Sequence, residues 1–247
     1  MIDLHCHILP GIDDGAHNLS DSIKMAKKAV SQGITHILCT PHHNSSYENP
    51  KSKVLLQVAD LQEELTKRNI PLILYEAQEV RIFEHLMSEI DQDDILFADV
   101  SDRYLMLEFP TESIPDYTNQ LIRQLINRGI TPIIVHPERY KLFQANPALL
   151  ENYLRMGCLA QLTAPSIVGA YGKKIQKLSH YFVKNSMIQM LGSDAHNVDS
   201  RNFYLAEAYE IIKKEYGEGK IDYYDRVAKD IINGDNISLE GNTTTVG

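Results

Sequence analysis

The sequence has few cysteines and no long apolar run, and both absences narrow the kinds of protein it can encode. Its three cysteines, Cys6, Cys39 and Cys158, are an odd number without CxxC spacing. They predict free thiols in a reducing compartment and not a disulfide framework. No segment is apolar for long enough to span a bilayer, and the first residues lack the charged and apolar stretches of a signal peptide. We therefore expect a cytoplasmic protein that does not insert into a membrane.

Positive charge is also scarce. The 24 lysines and arginines are outnumbered by 33 aspartates and glutamates, which gives a net charge of −9 at pH 7. Broad binding of nucleic acids or anionic membranes needs a basic surface, so the composition argues against a nucleic-acid partner. An anionic substrate is still allowed, because bound metal ions can reverse the sign of the charge in a pocket.

A glycine-rich phosphate-binding motif is missing after the first predicted strand, which argues against a dinucleotide-binding open sheet. Seven short apolar runs instead alternate with helical stretches, and this alternation favours a parallel sheet. The predicted strands cover residues 1–7, 35–40, 71–77, 104–108, 130–136, 159–163 and 187–193. The predicted helices cover about 20–32, 51–68, 115–128, 147–156, 173–185, 202–216 and 223–232. Ser20 or Asp21 is the predicted N-cap of the first helix, and Gly33 its stop.

We expect a single α/β domain over residues 1–247, folded as a barrel of about seven β-α units. The polar end of the chain, from about residue 235, is expected to be frayed.

Histidines and carboxylates are concentrated where the predicted strands end. His5 and His7 flank Cys6 in the first strand, and the two-residue period of a strand places both imidazoles on one face and Cys6 on the other. Later strands end in Thr-Pro-His-His at 40–43, Ala-Gln-Glu at 77–79, Leu-Glu-Phe-Pro at 107–110, His-Pro-Glu-Arg at 136–139 and Ser-Asp-Ala-His at 193–196. In a parallel barrel these ends meet at one rim, where active sites form. Charges there are costly to bury unless they are paired or bind a metal, so we expect a metal site.

The types of ligand narrow the metal and exclude one mechanism. Imidazoles and carboxylates without thiolates suit Mn, Fe or Zn better than an all-oxygen Mg or Ca site. A cysteine-nucleophile phosphatase needs an arginine six residues after its cysteine. Those positions hold Ile12, Ser45 and Ala164, which excludes that mechanism.

As a set, these motifs resemble the PHP (polymerase and histidinol phosphatase) superfamily. They are Met-Ile-Asp-Leu-His-Cys-His at 1–7, Thr-Pro-His at 40–42, Gln-Glu at 78–79, Glu-Phe-Pro at 108–110, His-Pro-Glu-Arg at 136–139 and Ser-Asp-Ala-His-Asn at 193–197. The resemblance extends from Met1 to about Arg201 and is strongest to the manganese-dependent tyrosine-protein phosphatases of bacterial capsule and exopolysaccharide operons. It implies a distorted (β/α)7 barrel and a phosphomonoesterase that uses three divalent cations, Mn²⁺ above Fe or Zn. The implied substrate is a phosphotyrosine-bearing kinase that regulates polysaccharide synthesis.

The resemblance also implies roles for single residues. It assigns His5, His7, Glu79 and Asp194 to a first cation, Glu79, Glu108 and His136 to a second, and Asp14, His42 and His196 to a third. Arg139 and Arg201 match the phosphate-contacting arginines of the family. Asp14, His42 and His196 are the candidates for protonating the leaving group. Glu138 is expected to support the ligands from outside or to lie at the surface, and His43 to lie in a loop.

Several alternatives remain open at this point. A small-molecule phosphatase acting on histidinol phosphate would use the same ligands. A metal-dependent amidohydrolase usually carries a modified lysine near the end of its fourth strand, where this chain has Glu108, and a polymerase-linked nuclease does not fit an acidic chain of this length. A regulatory module that binds metal without turnover is the alternative outside the enzymes. The oligomeric state, including a homo-oligomer, is not determined by the sequence.

Overall fold

Nine short parallel strands form the centre of the fold. The computed structural model describes residues 1–239 and the backbone of residues 245–246. The strands are β1 (Ile2–Cys6), β2 (His36–Cys39), β3 (His42–His43), β4 (Ile73–Glu76), β5 (Glu79–Arg81), β6 (Tyr104–Glu108), β7 (Thr131–Val135), β8 (Leu159–Thr163) and β9 (Met190–Gly192). Their order is β1-β2-β4 in one sheet and β3-β5-β6-β7-β8-β9 in the other, and every neighbouring pair is parallel.

The nine segments amount to seven barrel strands. The break between β2 and β3 falls at Thr40 and Pro41, and proline cannot donate a ladder hydrogen bond. The break between β4 and β5 falls at Ala77 and Gln78. The backbone amide of Glu79 donates to the carbonyl of Pro41 at 3.0 Å, so the two interrupted strands stay side by side across both breaks.

The last strand returns to the first and closes the barrel. Cys6 and Ala195 form a parallel bridge, and the backbone amide of His7 donates to the carbonyl of Ala195 at 2.9 Å. The backbone amide of Asp194 donates to the carbonyl of His5 at 2.8 Å. The seven strands run in chain order around this closed sheet, so the predicted distorted (β/α)7 barrel is confirmed.

The strands are buried on both faces, which is why they appear in the sequence as apolar runs without alternation. All five residues of β6 are buried, as are all five of β8. Parallel strands covered by helices on the outside have this pattern. The polar members of the runs therefore stand out, because each has to be satisfied inside the protein.

All seven predicted helices are present, with shifted ends. The helices are α1 (Leu19–Ser31), α2 (Lys51–Lys67), α3 (Leu86–Asp91), α4 (Thr118–Asn127), α5 (Lys141–Ala145), α6 (Ala148–Arg155), α7 (Ala164–Val168), α8 (Lys173–Lys184), α9 (Leu205–Tyr216) and α10 (Glu218–Asn233), with a 3-10 turn at Pro137–Arg139. The short helices α3, α5 and α7 were not predicted. None of the helices among the described residues is both long and apolar enough to cross a bilayer.

The N-cap of α1 was predicted wrongly. Asn18 is the cap, and its side-chain oxygen accepts a hydrogen bond from the backbone amide of Asp21 at 3.1 Å. Ser20 and Asp21 already lie in the first helical turn, where they cannot cap it. The predicted stop is confirmed, since Gly33 takes a left-handed φ of +80° just after the helix.

The tail is ordered beyond the point where fraying was expected to begin. Ile237 is only 1% exposed, and Ile237–Ser238 (β10) pairs antiparallel with Thr245–Val246 (β11). The hydroxyl of Tyr104 also donates to the carbonyl of Asp235 at 2.5 Å. Residues 240–244 and 247, which also belong to the predicted frayed tail, lie outside the described residues.

Candidate metal centre

The nine predicted ligands converge at the carboxyl ends of the barrel strands. Their ligand atoms fall into four groups, and within each group they lie within 4.8 Å of one another. The groups are His7, Asp14, His42 and His196; His5, Glu79 and His136; His5, His7 and Asp194; and His42, Glu79 and Glu108. The four groups share members, so they form one connected cluster.

The observed groups overlap with the implied ligand sets without reproducing them. His7 joins the group of Asp14, His42 and His196, and Glu79 is absent from the group of His5, His7 and Asp194. Asp14, His42 and His196 come together as expected, and so do His5, His7 and Asp194. His136 and Glu108 fall in different groups, and Glu79 belongs to both of those groups. Glu79 Oε1 lies 2.7 Å from His136 Nε2, while Glu79 Oε2 lies 2.9 Å from His42 Nδ1. Glu79 thus belongs to two groups and approaches a different histidine with each carboxylate oxygen.

Strand alternation and the close approach of a glycine position the first two histidines. The Nε2 atoms of His5 and His7 are 3.2 Å apart, and the fully buried Cys6 between them directs its thiol to the carbonyl of Ala195 at 3.6 Å. A Cβ atom on Gly192 would lie 2.6 Å from the Cβ of His5. Only glycine lets β9 approach His5 this closely.

Two of the predicted ligands sit in a left-handed backbone conformation. His136 has a φ of +36° and Asp194 a φ of +51°. Such angles are uncommon for residues other than glycine and are concentrated at functional sites, where the surrounding structure maintains them. His136 directly follows β7, and Asp194 lies two residues after the end of β9.

Three residues that the sequence did not single out hold the predicted ligands in place. Asp13 Oδ2 lies 2.7 Å from His7 Nδ1, and Gln161 Oε1 lies 3.0 Å from His5 Nδ1. Contacts of this kind fix the tautomer and orientation of a metal-binding imidazole. Arg81 donates two hydrogen bonds to the carboxylate of Glu108, at 2.7 and 3.0 Å.

The donors fit a cation because several of them are buried without any other partner. His42 Nδ1, Glu79 Oε2, His136 Nδ1 and His196 Nε2 are buried and accept or donate no hydrogen bond. His42 Nδ1 and Glu79 Oε2 are only 2.9 Å apart, yet they are not aligned for a hydrogen bond. A buried polar atom without a partner costs about 1–3 kcal/mol. A divalent cation between these atoms would remove that cost.

The pKa values of the carboxylates in the cluster also favour a bound cation. Burial would raise the pKa of Glu79, but the neighbouring His5 and His42 outweigh it and hold this pKa well below its usual range. Burial also opposes ionisation of Asp194, and Arg139 is the main group that lowers its pKa well below the usual range. Burial and the negative charge of Glu79 raise the pKa of Glu108 to about 7. The two glutamates thus repel each other, and a cation between them would relieve this repulsion.

Two arginines stand beside the cluster. Arg139, in the 3-10 turn, forms a close ion pair with Asp194. Arg201 Nη2 donates to Asp194 at 3.1 Å, and Arg201 Nη1 to Asp14 at 3.2 Å. Both arginines line a cavity of about 510 Å³ that also borders Glu108 and His136. The cavity places two guanidinium groups next to the predicted ligands, an arrangement suited to an anion.

Two lesser expectations are settled by the geometry. Glu138 is fully buried, and its Oε1 accepts hydrogen bonds from the hydroxyls of Thr163 and Ser166, both at 2.7 Å. The surface position expected as one option for Glu138 is therefore wrong, and its contacts fix the turn that carries Arg139. His43 was expected in a loop, but it belongs to β3, and its Nε2 lies 2.8 Å from Glu89 Oε2.

Known proteins resemble the chain in sequence over most of their length. The family model described as "Capsular polysaccharide synthesis, CpsB/CapC" matches residues 1–232. The tyrosine-protein phosphatase YwqE of Bacillus subtilis is 40% identical over 88% of this chain and 85% of its own length. The putative tyrosine-protein phosphatase CapC of Staphylococcus aureus is 35% identical over 97% of this chain and 94% of its own length.

One solved structure superposes over the entire chain. It is described as YwqE from Bacillus subtilis and CpsB from Streptococcus pneumoniae, unique metal-dependent tyrosine phosphatases. Its TM-score is 0.94 at 36% sequence identity, with 100% of both chains covered. The resemblance drawn from the strand-end motifs is thus confirmed, and the chain belongs to the CpsB/CapC family of capsular polysaccharide synthesis.

Proposed function

We propose that this chain is a metal-dependent phosphatase that removes phosphate from tyrosine side chains of a protein. The observation that carries the proposal is the single connected cluster of nine ligand residues next to two arginines that share a cavity with it. Relatives at 40% and 35% identity, named as a tyrosine-protein phosphatase and a putative one, support the substrate class.

The cluster would hold three divalent cations. His5, His7, Glu79 and Asp194 would bind the first, Glu79, Glu108 and His136 the second, and Asp14, His42 and His196 the third. We propose Mn²⁺ as the metal, with Fe or Zn as alternatives, because imidazole and carboxylate donors suit these ions. The buried cysteines belong to none of the four groups, so thiolate ligands play no part.

Loading with metal reverses the charge of the pocket. The four carboxylates of the cluster bring four negative charges, and three divalent cations bring six positive ones. Arg139 and Arg201 add to the surplus. The loaded pocket therefore attracts a phosphate dianion although the protein as a whole is acidic.

The arginines would bind and orient the phosphoryl group. When bound, the cations would lower the pKa of a coordinated water and offset phosphoryl charge, so that hydrolysis needs no covalent enzyme intermediate. Arg139 and Arg201 would hold the non-bridging oxygens and stabilise the charge that develops on them. Glu138 would maintain the 3-10 turn, and thereby the position of Arg139, through Thr163 and Ser166.

The leaving group favours an aryl ester. A phenolate departs with little help, whereas an alkoxide needs a proton. His42, His196 and Asp14 are the candidates for supplying it, since all three lie in a group that Arg201 contacts through Asp14.

We further propose that the natural substrate is an autophosphorylated tyrosine kinase that regulates polysaccharide synthesis. The family description places the relatives in capsular polysaccharide synthesis, and a kinase carrying phosphotyrosine supplies the ester that this site would cleave. The remaining alternative within the same site is a small metabolite such as histidinol phosphate.

The experiment compares phosphate release from a tyrosine-phosphorylated peptide and from histidinol phosphate, both with added Mn²⁺. We expect a clear preference for the peptide and complete loss of activity in chelator, restored by Mn²⁺. A preference for histidinol phosphate would instead indicate a small-molecule phosphatase of amino-acid biosynthesis. Full activity in the presence of chelator would show that hydrolysis does not need the metal. No turnover at full metal content would favour a regulatory module that binds metal without catalysis.

A further inference from the structure

Three cavities open around the metal centre, and they differ in their side chains. One of about 500 Å³ borders His43, Arg81 and Phe83 but none of the nine predicted ligands. A second of about 260 Å³ borders Asp14 and His196 together with the acidic Asp21 and Asp199, which repel an anion. The third, of about 510 Å³, borders two predicted ligands and both arginines. The second cavity also borders Lys24, whose Nζ pairs with Asp21 at 2.9 Å. Of these three cavities, the third is the one that borders predicted ligands together with guanidinium groups.

The third cavity is lined by both charged and apolar side chains. Glu108 and His136 belong to the cluster, Arg139 and Arg201 lie beside it, and the remaining lining residues are Thr111, Tyr140, Tyr171 and Ile175. Both Tyr171 and Ile175 are half-buried. Its volume lies within the roughly 300–1,000 Å³ typical of small-ligand sites, which combine apolar walls with a few polar groups.

The turn between α7 and α8 holds Tyr171 in position. Gly169 and Gly172 on either side of it take left-handed φ values of +87° and +91°. The backbone amide of Ala170 donates to the carbonyl of Pro165 at 2.9 Å, and that of Gly172 to Gly169 at 3.0 Å. The tyrosine ring thereby faces Arg139, whose Cζ lies 5.7 Å from the ring centroid.

This arrangement favours one orientation of a bound phosphoester, with its phosphoryl group at the arginines and its organic group farther along the cavity. A phosphoryl group bound by the arginines and the cluster leaves its organic group directed away from the ligands. The ring of Tyr171 lies next to Arg139 in this cavity, and Ile175 and the almost fully buried Tyr140 also border it. An aromatic group packs on such a ring by stacking or edge contact, whereas a small alkyl group gains little there.

We propose that Tyr171 and Ile175 bind the aromatic ring of the substrate and thereby determine the preference for aryl over alkyl phosphoesters. The proposal rests on the proposed phosphatase function, since it assumes that the phosphoryl group binds at Arg139 and Arg201. Tyr171 is thus a specificity residue that contacts the substrate ring.

The test measures binding instead of turnover, so that leaving-group chemistry does not enter. The Mn²⁺-loaded protein is titrated with phenylphosphonate and with methylphosphonate by calorimetry, and the ratio of the two dissociation constants gives the preference for a ring. We expect phenylphosphonate to bind more tightly to the unchanged protein. Tyr171→Ala should reduce this preference about five- to tenfold through loss of the aromatic contact and its buried area. Methylphosphonate affinity and Mn²⁺ content should change little.

Two further variants separate a ring-binding role from general damage. Tyr171→Phe retains the ring and should retain most of the phenyl preference. Tyr181→Ala removes a 43% exposed tyrosine of α8 that does not line the cavity, and it should leave both affinities unchanged.

The outcomes are distinct from a failure of the proposed function. An equal loss for both phosphonates in Tyr171→Ala would mean that the tyrosine only positions Arg139, and it would overturn the proposal. An unchanged ratio, or binding of neither phosphonate to the unchanged protein, would also overturn it. A phenyl preference that depends on Tyr171 would support the ring site even if the protein hydrolysed no phosphotyrosine peptide.

Discussion

Two buried carboxylates, Asp99 near the amino end of the barrel and Glu79 at the carboxyl end, have different surroundings. At the amino end, Asp99 precedes β6 and is 8% exposed. Its two carboxylate oxygens accept hydrogen bonds from the backbone amides of Ser101, Arg103 and Tyr104 at 2.8–3.0 Å. At the carboxyl end, Glu79 is fully buried and its Oε2 accepts no hydrogen bond. Backbone amides thus satisfy the carboxylate of Asp99, whereas Glu79 Oε2 has lone pairs without a hydrogen-bond donor.

The difference distinguishes a structural charge from a functional one. Burying an ion is tolerated where hydrogen bonds replace its water, as they do around Asp99. Around Glu79 the nearest groups are His5, His7 and His42, at 3.4, 3.3 and 2.9 Å from Oε2. Glu79 Oε2 thus faces three imidazole nitrogens without a hydrogen bond, which is the arrangement expected of a cation ligand.

Replacing the shared carboxylate should remove both metal and activity. Glu79→Gln takes a charged ligand from two of the four groups, so bound Mn²⁺ should fall, and turnover of a phosphotyrosine peptide about a thousandfold, or about 4 kcal/mol of barrier. Metal analysis of the dialysed protein and phosphate release measure the two effects. Glu76→Gln, three residues earlier and outside the groups, is the matched control and should retain both. Normal metal content in Glu79→Gln would contradict a central ligand role.

Removing a phosphate-binding arginine should affect turnover without affecting metal. Arg139→Ala should lower kcat/KM about 100- to 1,000-fold, the usual effect of losing a preorganised group that stabilises developing charge. The Mn²⁺ content should stay at the level of the unchanged protein, because Arg139 supplies no lone pair. Arg155→Ala, at a 71% exposed arginine side chain on α6, serves as the control. Loss of metal in Arg139→Ala would instead mean that its ion pair with Asp194 maintains the cluster.

Loss of an outer contact should have an intermediate effect. Asp13→Asn removes the carboxylate charge that lies 2.7 Å from His7 Nδ1, and removal of such a partner usually costs about 10- to 100-fold in metal affinity or activity. Competition with a fluorescent chelator measures the affinity for Mn²⁺. An unchanged affinity with unchanged turnover would show that His7 needs no orientation by Asp13.

At the amino end the same chemical change should affect only stability. Asp99→Asn should lower the free energy of unfolding by about 1–3 kcal/mol, because an amide is a weaker acceptor and one of its ends cannot accept the backbone amides. Urea unfolding with bound metal removed measures this loss, and activity assays of the folded variant should match the unchanged protein. A loss of activity in Asp99→Asn without a loss of stability would break the contrast between the two ends.

The sequence predicted the fold best where burial of a whole strand produces a clear pattern of apolar residues. Parallel strands buried on both faces appear as short apolar runs, so all seven barrel strands could be located. The candidate ligands could be located for the same reason, since histidines and carboxylates such as His136 and Asp194 interrupt the apolar pattern at strand ends. The division of the candidate ligands among three cations came from the family resemblance. In the structure, His136 and Glu108 fall in different groups, and Glu79 belongs to both.

The features that could not be predicted from the sequence are contacts between residues far apart in the chain and very short helices. Gln161 contacts His5 across 156 residues, and no local pattern marks Gln161 as its partner. Arg81 and Glu108 meet only because β5 lies beside β6. The helices α3 and α7 have six and five residues, too few for helical periodicity to be recognised. The cap of α1 at Asn18 was missed because three polar residues compete there and local geometry decides among them.

Anomalous X-ray scattering at the manganese edge, on crystals grown with Mn²⁺, tests the central claim most directly. We expect three peaks within the cluster, with Glu79 contacting two of them and Arg139 and Arg201 contacting none. Absence of any peak at the cluster, in crystals of protein that hydrolyses a phosphotyrosine peptide with Mn²⁺, would contradict the account.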